Sequence, residues 1–201
     1  MIGKNLVAGS LLLLPVVAFA QDSKPFSVGL ASFATSVDYT VEYEYGLDDD
    51  EEQTFSGPAI FGTAAVNDNL AFRVLYGWQD HTDESDIELE TIEGTVLGGI
   101  GLASEGFKAY GSLGFFRDDL DWNDKPARVK TDTFKGLALG AGAGYSWPWV
   151  SVELWISVRD NSDYEDALDD YYAGQAQGIF DYDEIEYLSV VTAGIGASVR
   201  F

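Results

Sequence analysis

Between Val150 and Arg159 apolar and polar side chains alternate without a break. Val150, Val152, Leu154, Ile156 and Val158 fall on one side of an extended chain, and Ser151, Glu153, Trp155, Ser157 and Arg159 on the other. Successive side chains of a strand point to opposite faces, so a period of two predicts a sheet with one apolar and one more polar face. The C-terminal segment repeats the pattern. Ile185, Tyr187, Val191, Ala193, Ile195, Val199 and Phe201 share a face; Glu186, Thr192, Gly194, Gly196, Ser198 and Arg200 share the opposite one. The same reading predicts eight strands, near 26–45, 53–66, 70–79, 87–103, 107–117, 133–146, 149–159 and 185–201. In the first of them the apolar phase shifts between Phe26-Val28-Leu30 and Val37-Tyr39-Val41-Tyr43-Tyr45, and a bulge or bend between the two is expected.

The connections alternate in length. Asn67-Asp68-Asn69, Ser104-Glu105-Gly106 and Trp147-Pro148 are tight, whereas 46–52, 80–86, 118–132 and 160–184 are longer and polar. A soluble sandwich has no reason to sort its loops this way, but an outer-membrane barrel does, with short periplasmic turns and long external loops. The predicted fold is therefore all-β: an eight-stranded antiparallel up-and-down transmembrane β-barrel with short periplasmic turns and long acidic external loops. Without water in the hydrocarbon every backbone polar group must be paired internally, and a closed sheet achieves this with no free edge.

That fold assigns the faces. Leu70, Phe72, Val74, Tyr76 and Trp78 are expected to face lipid, with Arg73 and Gln79 inside. Trp147, Trp149 and Phe201 fit the periplasmic rim, and Trp78, Tyr43 and Tyr45 the outer one, where half-wet aromatic rings gather. Eight strands leave a lumen just wide enough for side chains, so inward charges need partners. Heights counted from the periplasmic turns suggest two lumen pairs, Arg73 with Glu153 and Glu93 with Arg159; other partners at the same heights fit equally well. Inner-face glycines at 136, 140, 142, 144, 194 and 196 are expected to leave local space.

Residues 1–20 read as a secretory signal peptide. Lys4 carries the positive charge, Leu6 to Val17 are mostly apolar around Leu11-Leu12-Leu13-Leu14, and Ala18-Phe19-Ala20 supplies the small residues of a cleavage site. The run is shorter than the roughly 20 residues a spanning helix needs. Cleavage after Ala20 leaves residues 21–201 as one barrel domain.

The chain holds 34 acidic and 11 basic residues, a formal net charge of -23, and no cysteine. That excludes a disulfide framework and thiolate metal sites, and argues against nucleic acid, whose phosphates need clustered Lys and Arg. The four long connections hold 23 of the 34 acids.

Three features carry a family resemblance: the leader ending Ala18-Phe19-Ala20, the glycine-rich strand from Gly136 to Tyr145, and the C-terminus Gly194-Ile-Gly-Ala-Ser-Val-Arg-Phe201. In these the chain resembles the small eight-stranded outer-membrane proteins of Gram-negative bacteria, the OmpX/Ail-like barrels and the membrane domain of OmpA. The resemblance implies an outer-membrane location, contact with outer-membrane lipid and lipopolysaccharide, and a final Phe201 read by the barrel-assembly machinery. Monomer is the default for a closed barrel this small. No peptidoglycan-binding domain follows Phe201, so an OmpA-type link to the cell wall is not expected.

Candidate chemistry is thin. A Ser-His-acid hydrolase needs a histidine base, and His81, the only one, falls in the second long connection beside Asp83 and Ser85, where a solvated loop histidine is the default. Lipid A deacylases of the resembling group place the catalytic group on a strand, which this does not match. Asp48, Asp50 and Glu52, with Asp119 and Asp121, offer the oxygen ligands calcium prefers, without the spacing of a twelve-residue calcium loop. The stretch 164–173 could form a helical turn. No pattern calls for a cofactor or a catalytic residue. The expected function is a non-enzymatic barrel serving envelope integrity or surface interaction through loops 46–52, 80–86, 118–132 and 160–184. The alternatives are a small channel for ions or small solutes and, further off, a lipid-modifying enzyme. The fold alternative is a soluble lipocalin-like barrel with its apolar face inward around a ligand.

Overall fold

The computed structural model describes residues 24–43, 47–83, 87–122, 132–172 and 182–201. The predicted leader and cleavage site lie outside them, as do Tyr45, Ser85, Lys125, Arg128 and Lys130.

Eight strands run in sequence order: β1 (Phe26–Tyr43), β2 (Leu47–Ala65), β3 (Leu70–His81), β4 (Ile87–Ile100), β5 (Gly106–Trp122), β6 (Thr133–Ser146), β7 (Val150–Arg159) and β8 (Tyr182–Arg200). Each pairs antiparallel with its neighbour, and β8 returns to β1, closing the barrel. Backbone hydrogen bonds between Phe26 and Phe201 seal the seam, and their rings stack at 6.2 Å. The one helix among the described residues, α1 (Ser162–Tyr172), lies in the β7–β8 connection. No described helix is long and apolar enough to cross a membrane.

The sidedness in the periplasmic half follows the predicted pattern. On β7 Ser151, Glu153, Trp155, Ser157 and Arg159 are buried in the lumen, while Val150 to Val158 at alternate positions are exposed. The tight turns after β2, β4 and β6 lie at the end where both termini meet.

The strands differ most in length. A membrane strand needs about 9–11 residues. β7 has 10, but β1 has 18, β2 has 19, β5 has 17 and β8 has 19. The sheet is therefore longer than a membrane crossing needs, and much of the sequence assigned to long loops is strand. Residues 47–52 belong to β2, Asp80 and His81 to β3, and Asp118 to Trp122 to β5; in 160–184, α1 fills eleven positions and β8 begins at Tyr182.

The apolar phase shift in β1 has a different cause from the bulge expected there. The β1–β2 register runs without interruption from Phe26 to Tyr43. The chain does not shift; the side of the sheet that must be apolar does. Phe26, Val28 and Leu30 point outward, whereas Phe33, Val37, Tyr39 and Val41 point inward and are buried. Irregularities fall higher, against β8, at Thr40/Val41 and Glu42/Tyr43. There Thr40 pairs with Tyr187 but Val41 pairs with Ile185, skipping Glu186. Ile185 thus leaves the outward face of Tyr187 and packs against the inner apolar cluster, a correction to the single face assigned to both.

Candidate functional site in the barrel lumen and mouth

The lumen is filled in layers. At the periplasmic end the Arg200 guanidinium donates to the carbonyls of Trp147, Ala103 and Ser104, at 3.0, 2.6 and 2.9 Å, tying β8 to two other turns. Above it stands the first ion cluster. Arg73 Nη2 lies 2.5 Å from Glu153 Oε2, and Lys108 Nζ 3.1 Å from Glu153 Oε1. Arg73 Nη1 donates to the Tyr110 hydroxyl at 2.9 Å, which donates onward to Glu153 at 2.8 Å. The structure thus brings Arg73 and Glu153 together and adds Lys108 and Tyr110, which the sequence reading left out.

An apolar layer follows, of Phe33, Ala59, Phe61, Leu75 and Trp155. Inner glycines make room for this layer and for the cluster below it. A Cβ on Gly142 would lie 2.4 Å from the Tyr110 ring, and one on Gly194 2.3 Å from Trp155. The expected vacant space is occupied by these larger side chains.

The second ion cluster caps that layer. Arg159 Nη2 meets Glu93 Oε2 at 2.9 Å and Nη1 meets Asp118 Oδ2 at 2.5 Å. Asp118 also accepts from Thr91 at 2.6 Å, Thr91 accepts from Gln79 at 3.1 Å, and the Tyr164 hydroxyl of α1 donates to Asp118. The Glu93–Arg159 pairing is present, with Asp118 as a further acceptor. Asp118 faces in because β5 is still strand there; reading 118–132 as a loop hid it.

Above this floor the interior turns apolar again. Val37, Tyr39, Val41, Phe116, Phe134, Ala138, Tyr164 and Val190 form one buried cluster. Phe134 and Tyr164 stack at 4.1 Å, which pins α1 into the mouth, and the Tyr39 and Tyr172 hydroxyls lie 3.2 Å apart at its far end. His81 is buried here, not solvated: Nε2 lies 2.7 Å from Gln53 Oε1, and the ring stands edge-on to Phe55. A cavity of about 320 Å³ remains between the barrel wall and α1.

The exterior at this height is acidic. Of the residues suggested as calcium ligands, Asp50 accepts from Thr40 at 2.8 Å and Glu52 from Ser36 at 3.2 Å. Asp119 is held by Arg117 and Thr133, and the Arg117 hydrogen bond lowers its carboxyl below the usual range. Asp121 stands opposite Glu88 in the register. The side chain of Asp48 lies outside the described residues. Among the described residues no group of three or more carboxylates or imidazoles is arranged to hold a metal ion.

A closed eight-stranded barrel with an apolar outer belt and a packed polar lumen is the architecture of small outer-membrane proteins. A family model for the outer membrane protein beta-barrel domain matches residues 6–201. The chain belongs to this family. As an outer membrane protein beta-barrel it is similar in fold to OprG of Pseudomonas aeruginosa, at 14% identity and TM-score 0.50, over 89% of this chain and 97% of that one. It also resembles Ail, the attachment invasion locus protein of Yersinia pestis, at 14% identity and TM-score 0.48, over 89% of this chain and 99% of that one. Among curated proteins none matches the chain in sequence. The family places this beta-barrel among bacterial outer-membrane proteins, with its tight turns toward the periplasm and α1 toward the outside.

Proposed function

We propose that the protein is a non-enzymatic, non-conducting outer-membrane barrel that acts at the cell surface through its acidic extracellular extension. The layered lumen carries this reading. Two ion clusters of buried side chains and the apolar layer between them occupy the lumen from the periplasmic end to the mouth, and breaking either cluster would strand buried charge. His81 speaks against hydrolysis, because Gln53 and Phe55 hold its ring in a packing role. The outward acids of β1, β2, β4 and β5 present the charge on a rigid sheet that projects past the lipid. There they would meet lipopolysaccharide through bridging divalent ions, or a partner at the cell surface.

Recording in planar bilayers tests the reading. The wild type is expected to insert without steady conductance. Stable, ohmic openings would overturn it in favour of a channel. Export through a cleaved leader belongs to the same proposal, and N-terminal sequencing of outer-membrane material should begin at Gln21. Assembly directed by Phe201 and a monomeric state complete it.

A further inference from the structure

The cavity under α1 has a composition unlike the rest of the lumen. Its roof is α1, and Tyr164 of that helix, whose hydroxyl donates to Asp118, separates it from the ion cluster below. Seven aromatic rings line it, including Tyr39, Phe55, Trp122, Phe134 and Tyr171, together with Ile87, Leu89 and Leu168. No lysine or arginine does, among the described residues. One carboxylate does. Glu51 faces inward from β2, directly opposite Tyr39, on a mostly apolar and aromatic wall whose other polar members, Gln53 and His81, are hydrogen-bonded to each other. No described cation pairs with it.

We propose that this cavity is a binding site for a small hydrophobic organic cation, an arylalkyl ammonium or quaternary ammonium. Three observations converge on that class. The volume, about 320 Å³, sits at the lower end of the usual range for ligand pockets, about 300–1,000 Å³. Aromatic faces attract a positive group through their quadrupole, most strongly when it is desolvated. Glu51 supplies the single opposite charge, and the acidic exterior raises the local concentration of cations at the mouth. An anion would meet Glu51 and that acidic rim with no lysine or arginine among the lining residues, and the imidazole of His81 is already engaged by Gln53 and by the Asp83 N–H. The site rests on the surface-acting reading for its access from outside. A barrel that conducted would sink that reading and leave the cavity's own titration untouched.

The experiment uses the full barrel in nanodiscs, with tryptophan fluorescence, to which the cavity-lining Trp122 contributes, as one readout and calorimetry as the other. Benzyltrimethylammonium is compared with neopentylbenzene, its neutral isostere. The cation should bind saturably and at least about tenfold tighter than the isostere. Glu51→Gln should remove most of that preference while leaving the isostere unchanged, and Glu51→Asp should keep it. Leu168→Trp, which fills the cavity from α1, should abolish binding of both. A heat-dependent gel shift checks that each variant is folded. Equal affinity for cation and isostere, cation binding indifferent to Glu51→Gln, or no saturable binding to the folded wild type would each overturn the proposal.

Discussion

Along β5 the outward side chains run Phe107, Leu113, Phe115 and then Arg117, Asp119, Asp121; the inward ones run Lys108, Tyr110, Ser112 and then Phe116, Leu120, Trp122, with Asp118 among them. The strand exchanges its faces near Phe116 without a break in register. β4 does the same between Glu90 and Ile92: Glu88 and Glu90 point out above, Ile92 and Val96 point out below, and Leu89 faces in. The lower half lives in hydrocarbon, so its outside is apolar and its charges are kept inside, each beside an opposite charge. The upper half lives in water, so its outside is acidic and its inside is an ordinary apolar core. One continuous sheet thus carries a membrane barrel and, above it, something close to a soluble one. The lipocalin-like alternative was wrong for the chain as a whole, yet its inside-apolar arrangement describes the extracellular cup.

The largest effect in the membrane half is expected at Glu153. It balances two cations in the membrane half, so Glu153→Leu leaves Arg73 and Lys108 buried together and unpaired. Losing one partner of a buried pair costs about 3–5 kcal/mol, and the urea midpoint of the folded barrel in micelles should fall accordingly. Arg73→Leu should cost less, because Lys108 still meets Glu153. If both variants unfold with the wild type, the lower lumen is wetter than its packing implies.

The exteriors separate next. Leu154 projects into lipid at the middle of β7, where an arginine costs about 2–4 kcal/mol. Asp38 projects outward on the extension, opposite Glu52. There an arginine relieves a like-charge contact and should fall within about 0.5 kcal/mol of wild type. Refolding both variants into bilayers of one thickness and comparing unfolding free energies locates the outer membrane boundary. Equal costs would mean the extension is not in water.

This exchange of faces also explains what was legible in the sequence. Alternation showed the strand count and the closed barrel, because period two is local, and it put both lumen pairs at matching heights without choosing them over other partners there. The extension was not legible: Asp48 to Glu52 and Asp118 to Asp121 have the composition of loops, and only their cross-strand partners on β1, β4 and β6 reveal them as sheet. The phase shift in β1 was visible, but a bulge and an exchange of solvents leave the same trace in one strand. Seen in β4 and β5 as well, at matching height, it would have pointed to the solvent. Asp118, Tyr164 and Glu51 were missed for the same reason, since each acts from a segment assigned to a loop.

Glycines give a smaller contrast within the membrane half. Gly142 faces the lumen, where a methyl group would collide with the Tyr110 ring; Gly94 faces out, with nothing within 4 Å of its Cβ position. Gly142→Ala should cost about 1–3 kcal/mol through overpacking, while Gly94→Ala should be neutral or slightly stabilising as strand entropy is relieved. Thermal unfolding followed by the gel shift reads both. A harmless Gly142→Ala would show that Tyr110 is free to move and that the lower cluster is not tightly packed.

The smallest effect is expected at the periplasmic turns, the one place where the membrane half meets water at its lower end. Asp68 accepts backbone N–H groups from Ser104 at 3.0 Å and from Ala103 and Gly101 at 3.3 Å, clipping the β2–β3 turn to the β4–β5 turn. The Ser104 side chain, and then these N–H groups, hold its carboxyl below the usual value of 3.8. The folded state therefore favours the ionised form. The stabilisation is fully present above the unfolded carboxylate range, about pH 4, and is lost as pH falls through the lowered folded value. Because Asp68 is exposed to solvent, Asp68→Asn should cost under about 1 kcal/mol at pH 7. Guanidinium unfolding of wild type and variant from pH 7 to pH 3 should show a constant gap down to about pH 5 that closes below pH 4. A gap that stays unchanged through pH 3 would mean the turns are joined by packing of Leu102 and Ala103 and not by the carboxylate.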